Sequence, residues 1–280
     1  MKNLDCKNRN KKRITVFFNY FCGMIKLIRN ISVAISLMLM VMSGYNVYCQ
    51  SVTDSCINIP FVKVAYSFQV PLGAQTEWFG VNSTIGGGFS YKTKTNLMIG
   101  IDWGYVFGNV VKNQTELLKY LYASSGYIIN RSGQEAIVTL YERGHQILFR
   151  MGRLYPLKSL NPNSGLFFTG GLGLMTHKIR IDVFEDDVPE LSSDYKKGYD
   201  RLSVGPSAGA QFGFINFGDN TLFNFYGALE AVYGYTRNIR PYNFDTMSSD
   251  KSWKHDLYIG IKVGWLLPLY PKKPKDFYYY

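Results

Sequence analysis

Cysteine is scarce and poorly placed for chemistry. The 280 residues hold four, Cys6, Cys22, Cys49 and Cys56, and the first three fall in an N-terminal leader. Cys56 is then alone, which excludes an internal disulfide or a cysteine-ligated metal in the remainder. Histidine is equally sparse. His145, His177 and His255 sit on different predicted strands with mixed parity, and no pair has the spacing of a zinc site. Long apolar runs of the kind a membrane helix needs are missing, which leaves open a β-barrel, whose signal is weaker per segment. Phosphate-binding loops are missing too. Gly86-Gly87-Gly88 and Gly170-Gly171-x-Gly173 lie within predicted strands without a following helix, so they read as lumen packing and strand coiling. No cofactor is expected.

Basic residues crowd one end. Lys7, Arg9, Lys11, Lys12, Arg13, Lys26 and Arg29 lead into a short apolar core, Ile31 to Met42, and Val47-Tyr48-Cys49 precedes Gln50. That is the order of a secretory signal, so residues 1–49 are expected to be a cleaved signal peptide. Met24 is an alternative start that opens a more ordinary signal, MIKLIRNISVAISLMLM. The apolar core is shorter than the ~20 residues of a spanning helix. The leader carries eight of the 31 basic residues and one of the 20 acidic ones, leaving 23 against 19 and a net +4 beyond it. The formal +11 is therefore mostly leader, and no nucleic-acid partner is expected.

What is abundant is alternation. In Lys254–Pro268, Leu257, Ile259, Ile261, Val263, Trp265 and Leu267 share one face, while Asp256, Tyr258, Gly260, Lys262 and Gly264 share the other. Seven further stretches alternate in the same way: Phe61–Val70, Val81–Tyr91, Leu97–Phe107, His145–Leu154, Leu166–Val183, Leu202–Phe214 and Phe223–Tyr235. In the fifth strand, Leu166 to Leu174 and Ile179 to Val183 fall on opposite parity. This predicts a bulge near Thr176, or a strand leaving lipid there. The insertion 108–144 is expected to hold a short helix over Glu116–Tyr122. A small hairpin is expected over Tyr127–Leu140, around Asn130-Arg131-Ser132-Gly133.

Three features favour a barrel over a sandwich. Short connections (92–96, 155–165, 218–221) alternate with long ones (71–80, 108–144, 184–200, 238–252), as periplasmic turns and extracellular loops do. Outward aromatics fall into two groups. Trp103, Tyr105, Tyr233 and Tyr235 lie toward the long connections, and Tyr91, Phe168, Phe214, Phe223 and Trp265 toward the short ones, as membrane-interface girdles would. The strand count is even. The expectation is an all-β chain, an eight-stranded antiparallel transmembrane β-barrel over residues 50–268 in the outer membrane. A basic, aromatic tail over 269–280 follows.

The inward faces carry Lys63, Asp102, Arg150, Glu230 and Lys262 near mid-strand. Charges inside so narrow a barrel must pair, so a lumenal ion-pair network is expected to plug it, with Lys262 beside Glu230. Eight such strands with girdles resemble the small outer-membrane barrels of the OmpX and OmpA-barrel type, the porin-family or outer membrane protein beta-barrel group. The segments GYDRL (Gly198–Leu202), RPYNFDT (Arg240–Thr246) and GWLLPLY (Gly264–Tyr270) further resemble a branch of that group in Gram-negative envelopes. The resemblance implies fold and location and carries over no catalytic residue. The functional expectation is a non-enzymatic structural, adhesive or accessory subunit. Its partners would be outer-membrane lipid and a protein met through loop 108–144 or tail 269–280. The alternatives are a narrow pore and, third, a lipid-modifying enzyme at the rim, for which nothing places a nucleophile beside a base.

Overall fold

The computed structural model describes residues 55–157, 161–184, 188–192, 194–218 and 223–269. The leader 1–49 and the tail 269–280, apart from Leu269, lie outside the described residues, as does most of the 218–221 turn. Eight antiparallel strands close into a barrel in sequence order. They are β1 (Ile59–Gly73), β2 (Asn82–Lys92), β3 (Leu97–Gly108), β4 (Ile137–Pro156), β5 (Gly165–Phe184), β6 (Ser203–Asn216), β7 (Phe225–Asn238) and β8 (Trp253–Pro268). β8 returns to β1, from Phe61 opposite Pro268 to Gly73 opposite Asp256.

The registers fix the barrel's geometry. Lys63 lies opposite Gly88, and the path continues through Asp102, Leu148, Gly173, Ser207, Gly234 and Asp256 to Gly73. One circuit thus climbs ten residues along β1. For eight strands that shear corresponds to a tilt of about 40° and a radius of about 8 Å. A lumen this narrow is filled by side chains.

Alternation places the faces as expected. Even residues of β1 and odd residues of β8 point outward, and their neighbours are buried inside. The lumen is layered. Ile57, Ile59, Phe61, Leu154, Ile215 and Phe217 form an apolar floor at one end. The floor includes the segment preceding β1, which Asn163 ties down: its Oδ1 accepts from Ile57 N at 3.2 Å and from Lys92 Nζ at 2.8 Å. Charged side chains fill the middle. Leu148, Met175, Val232 and Tyr258 form a smaller apolar layer.

The other end is covered rather than open. Trp78 and Phe79, between β1 and β2, pack with Val111, Leu117, Leu118 and Ile128 from the β3–β4 connection. Val188, Leu191 and Tyr199 join them from β5–β6, with Phe244 from β7–β8. Leu140, Ile179 and Ile181 on the strands complete this cluster. All four connections at that end therefore share one apolar core, a folded cap.

Several boundaries differ from expectation. β4 starts at Ile137, eight residues before His145, so the insertion shortens to 109–136. The upper part of β4 turns Leu140 inward to the cap, while Thr139 and Arg143 interrupt Ile137 and Tyr141 on the outer face, so its apolar alternation is broken. The bulge near Thr176 is absent. β4 and β5 keep one register from Ile137–Phe184 to Pro156–Gly165, and Ile179 and Ile181 point inward because the cap gives them an apolar partner there. The helix over 116–122 is a single turn, Gln114–Leu117. The hairpin over 127–140 reduces to isolated bridges around the Asn130–Gly133 turn, since its second half joins β4. Phe223 precedes β7 instead of lying on it, because the buried Asn224 accepts a turn hydrogen bond from Gly218 N at 2.7 Å.

Candidate functional site

Mid-lumen, five charged side chains converge. Asp102 on β3 receives Lys63 Nζ at 2.7 Å and Arg150 Nε at 3.0 Å. Arg150 on β4 spans to Glu230 on β7, with Nη2 2.6 Å from Oε1. Lys262 on β8 reaches the same oxygen at 3.1 Å. Gln211 on β6 donates to Oε1 at 2.7 Å, and Ser67 and Gln69 on β1 approach Oε2 at 3.4 Å. One carboxylate therefore ties together β1, β4, β6, β7 and β8. Cross-strand register explains this. Ser67 lies opposite Lys262, Glu230 opposite Gln211, and glycines make the room: a Cβ on Gly88 would stand 2.7 Å from Asp102 Oδ1. The cavities left are of single-water size, about 20 Å³ beside Arg150 and about 10 Å³ beside Lys262.

A second polar cluster lies higher and was not expected from the sequence. Glu142 is fully buried, accepting from Asn82 Nδ2 at 3.0 and 3.1 Å and from the Tyr258 hydroxyl at 3.0 Å. His177 Nε2 lies 3.2 Å from Asp256 Oδ2, to which Thr236 also donates. Glu142 falls inside what reads as a loop, yet it shares parity with Gln146 and Arg150, and that was its available signal. The other two histidines face outward. His145 packs against Trp103 and Tyr105, and His255 against Tyr233 and Tyr235. Among the described residues, no three His, Cys, Asp or Glu side chains gather as a metal site requires.

The cap is locked by the two loop segments noted in the sequence. Phe244 N donates to Gly198 O at 2.9 Å, and a Cβ on Gly198 would overlap the Phe244 ring, so only glycine fits. Arg240 Nε donates to Asp200 Oδ1 at 2.7 Å, with a second, parallel bond from Nη2. Arg201 pairs with the buried Asp245 while its guanidinium lies 3.9 Å from the Trp78 ring centroid. Arg240 is held above its ordinary value by the Asp200 hydrogen bond. In the same connection partial burial would raise Asp250, but the hydrogen bonds from Lys254 and Ser252 win and hold it at about 2. GYDRL and RPYNFDT are thus two halves of one clasp.

No family model and no curated protein matches this chain. Solved structures do. Ail, the attachment invasion locus protein of Yersinia pestis, in complex with the heparin analogue sucrose octasulfate, superposes with a TM-score of 0.40 at 8% identity, over 75% of this chain and 99% of that one. Neisserial surface protein A gives 0.33 at 11% identity over 74% and 96%. The outer membrane protein OprG from Pseudomonas aeruginosa gives 0.33 at 11% over 79% and 100%. Likeness at this level carries no residue, ligand or activity across.

The nine aromatics expected at the interfaces all fall on the outside of the molecule or partly so. Trp103, Tyr233, Tyr235, Tyr91, Phe168, Phe223 and Trp265 are exposed, and Tyr105 and Phe214 are half-buried. Between the two groups the outward side chains are apolar. Val64, Ile101, Phe149, Leu172, Leu229 and Ile261 are each more than half exposed, Leu172 at 72%.

Proposed function

We propose that the chain is a non-enzymatic integral outer-membrane protein whose lumen is closed and whose cap faces the outside of the cell. The observation that carries this reading is the belt. Exposed aliphatic residues ring a closed barrel, bracketed by aromatics, and the outward-facing charges of the strands, among them Arg143, Arg153, Lys178 and Arg180, lie above or below that ring. A water-soluble monomer seldom exposes more than a few hundred Å² of contiguous apolar surface. A bilayer requires such a belt, and closure leaves no unpaired strand edge in the hydrocarbon. Heat-modifiable mobility on denaturing gels tests it. An unheated sample that migrates at its unfolded position would sink the membrane reading.

Closure of the lumen argues against transport. Cavities of single-water size beside five cross-linked charges support a closed lumen. Planar-bilayer recordings are expected to show no discrete steps, with or without Glu230→Ala. Steady unit conductances would favour the narrow pore instead. With the lumen shut, the surface open to a partner is the cap and the long β4–β5 hairpin. This supports a structural, adhesive or accessory role, including membership of a larger envelope assembly. Co-purification from native membranes in mild detergent is expected to retain a partner, and a lone monomer under those conditions would count against the accessory role.

A further inference from the structure

A cleft of about 720 Å³ opens on the outside of the barrel, where β4 and β5 rise past the ends of β3 and β6. Arg143, Lys178 and Arg180 line its strand side, and Lys196, Lys197 and Arg240 face them from the adjoining loops. Two carboxylates stand among these six cations, and each is already held by an arginine. Arg180 Nε lies 2.9 Å from Asp182, and Arg240 grips Asp200. Lys197 pairs outside the cleft with Asp194 at 2.9 Å. Among the described residues, Lys178, Lys196 and Arg143 form no ion pair with a carboxylate, and Arg143 donates through Nη1 alone, to the Gly108 and Glu142 carbonyls. Cations held this close repel one another unless an anion lies between them.

The height of the cleft identifies that anion. Its lower edge is Tyr105, His145 and Thr176. Directly below, on the same outer faces, the apolar belt begins with Ile147, Phe149 and Leu174. A lipid whose chains lie along those side chains brings its head group to the mouth of the cleft. We propose that the cleft binds the phosphorylated head group of a lipid of the surrounding leaflet, with Lys178, Lys196 and Arg143 on phosphate oxygens. Three unneutralised cations fit a head group carrying two phosphates better than a single phosphodiester. The inference rests on the membrane-spanning reading above.

The test uses full-length protein in three kinds of vesicle. One is phosphatidylcholine alone, one contains a minor fraction of bis-phosphorylated lipid A, and one contains the same fraction of its monophosphorylated form. Flotation reports insertion, and native mass spectrometry after mild-detergent extraction reports retained lipid. The bis-phosphorylated form is expected to be retained most. The Lys178→Gln/Lys196→Gln variant is expected to lose roughly tenfold of that retention, as removal of charge-assisted contacts should. Lys119→Gln, in another connection, is expected to change nothing, and heat-modifiable mobility checks that each variant is folded. Inorganic pyrophosphate is expected not to displace the lipid, because contacts along the belt contribute to its binding. Displacement would assign the cleft to a free anion and overturn the proposal. Flotation with equal retention of all lipids would overturn this inference alone. Failure to float with any vesicle would overturn the membrane reading and the inference together.

Discussion

Glu230 accepts from more lumenal side chains than any other residue described here. Arg150, Lys262 and Gln211 lie within 3.1 Å of it, and Ser67 and Gln69 within 3.4 Å. Removing one partner of a buried ionic set leaves charge without compensation, at a cost of about 3–5 kcal/mol. Glu230→Ala is therefore expected to lower the urea-unfolding free energy in detergent by that amount, and an unchanged midpoint would deny the network its structural role. Asp250 makes a milder case outside the barrel wall. Its carboxyl is held at about 2, below the unfolded value, so its contribution to the β7–β8 connection is present above about pH 4. That contribution is expected to fade as pH falls toward 2, read as faster proteolysis of that connection by an acid-active protease. Asp250→Asn should remove this pH dependence. The residues of the mid-lumen network were legible because a charged residue on the inner parity of a strand has few places to go. Asp256 also alternates onto the inward face, but Glu142 falls inside an expected loop and His177 beside the expected bulge, so the cluster they form with it was not legible.

At the scale of elements, the clasp between the β5–β6 and β7–β8 connections holds the cap shut. Arg201 is fixed twice, by Asp245 and by the face of Trp78, so Arg201→Ala removes an ion pair and a cation–π contact at once. The expected cost is about 2 kcal/mol, confined to the cap. Trypsin should then cut the connections faster while the barrel keeps its heat-modifiable mobility. Loss of both together would make cap and barrel one cooperative unit. A double-mutant cycle on Asp200→Ala and Arg240→Ala is expected to give a coupling of about 1 kcal/mol, since the pair is bidentate yet partly exposed. Strand positions within the belt were readable from period-two alternation, because one face of each is a row of apolar side chains and the other lines the lumen. The first eight residues of β4 were not, because above the belt the outer face mixes Ile137 and Tyr141 with Thr139 and Arg143 while the inner face meets the cap.

At the scale of the whole molecule, β4 and β5 are each twenty residues long. With a rise of about 2.5 Å per residue along the axis, they span roughly 50 Å, well beyond a ~25 Å apolar band. The hairpin rises past the ends of β3 and β6, and its outer face changes there from Ile147, Phe149 and Leu174 to Arg143, Lys178 and Arg180. Local composition determined most of this architecture. Alternation set eight strands, their faces and the inward charges, since the side-chain period of a strand is a property of adjacent residues. Only the tertiary structure decided the ten-residue shear, the choice of Glu230 as the shared carboxylate, and the joining of four connections into one cap. Those depend on which strands become neighbours when the sheet closes, and closure brings β1 against β8 across the full length of the barrel sequence. No local pattern encodes a contact of that separation.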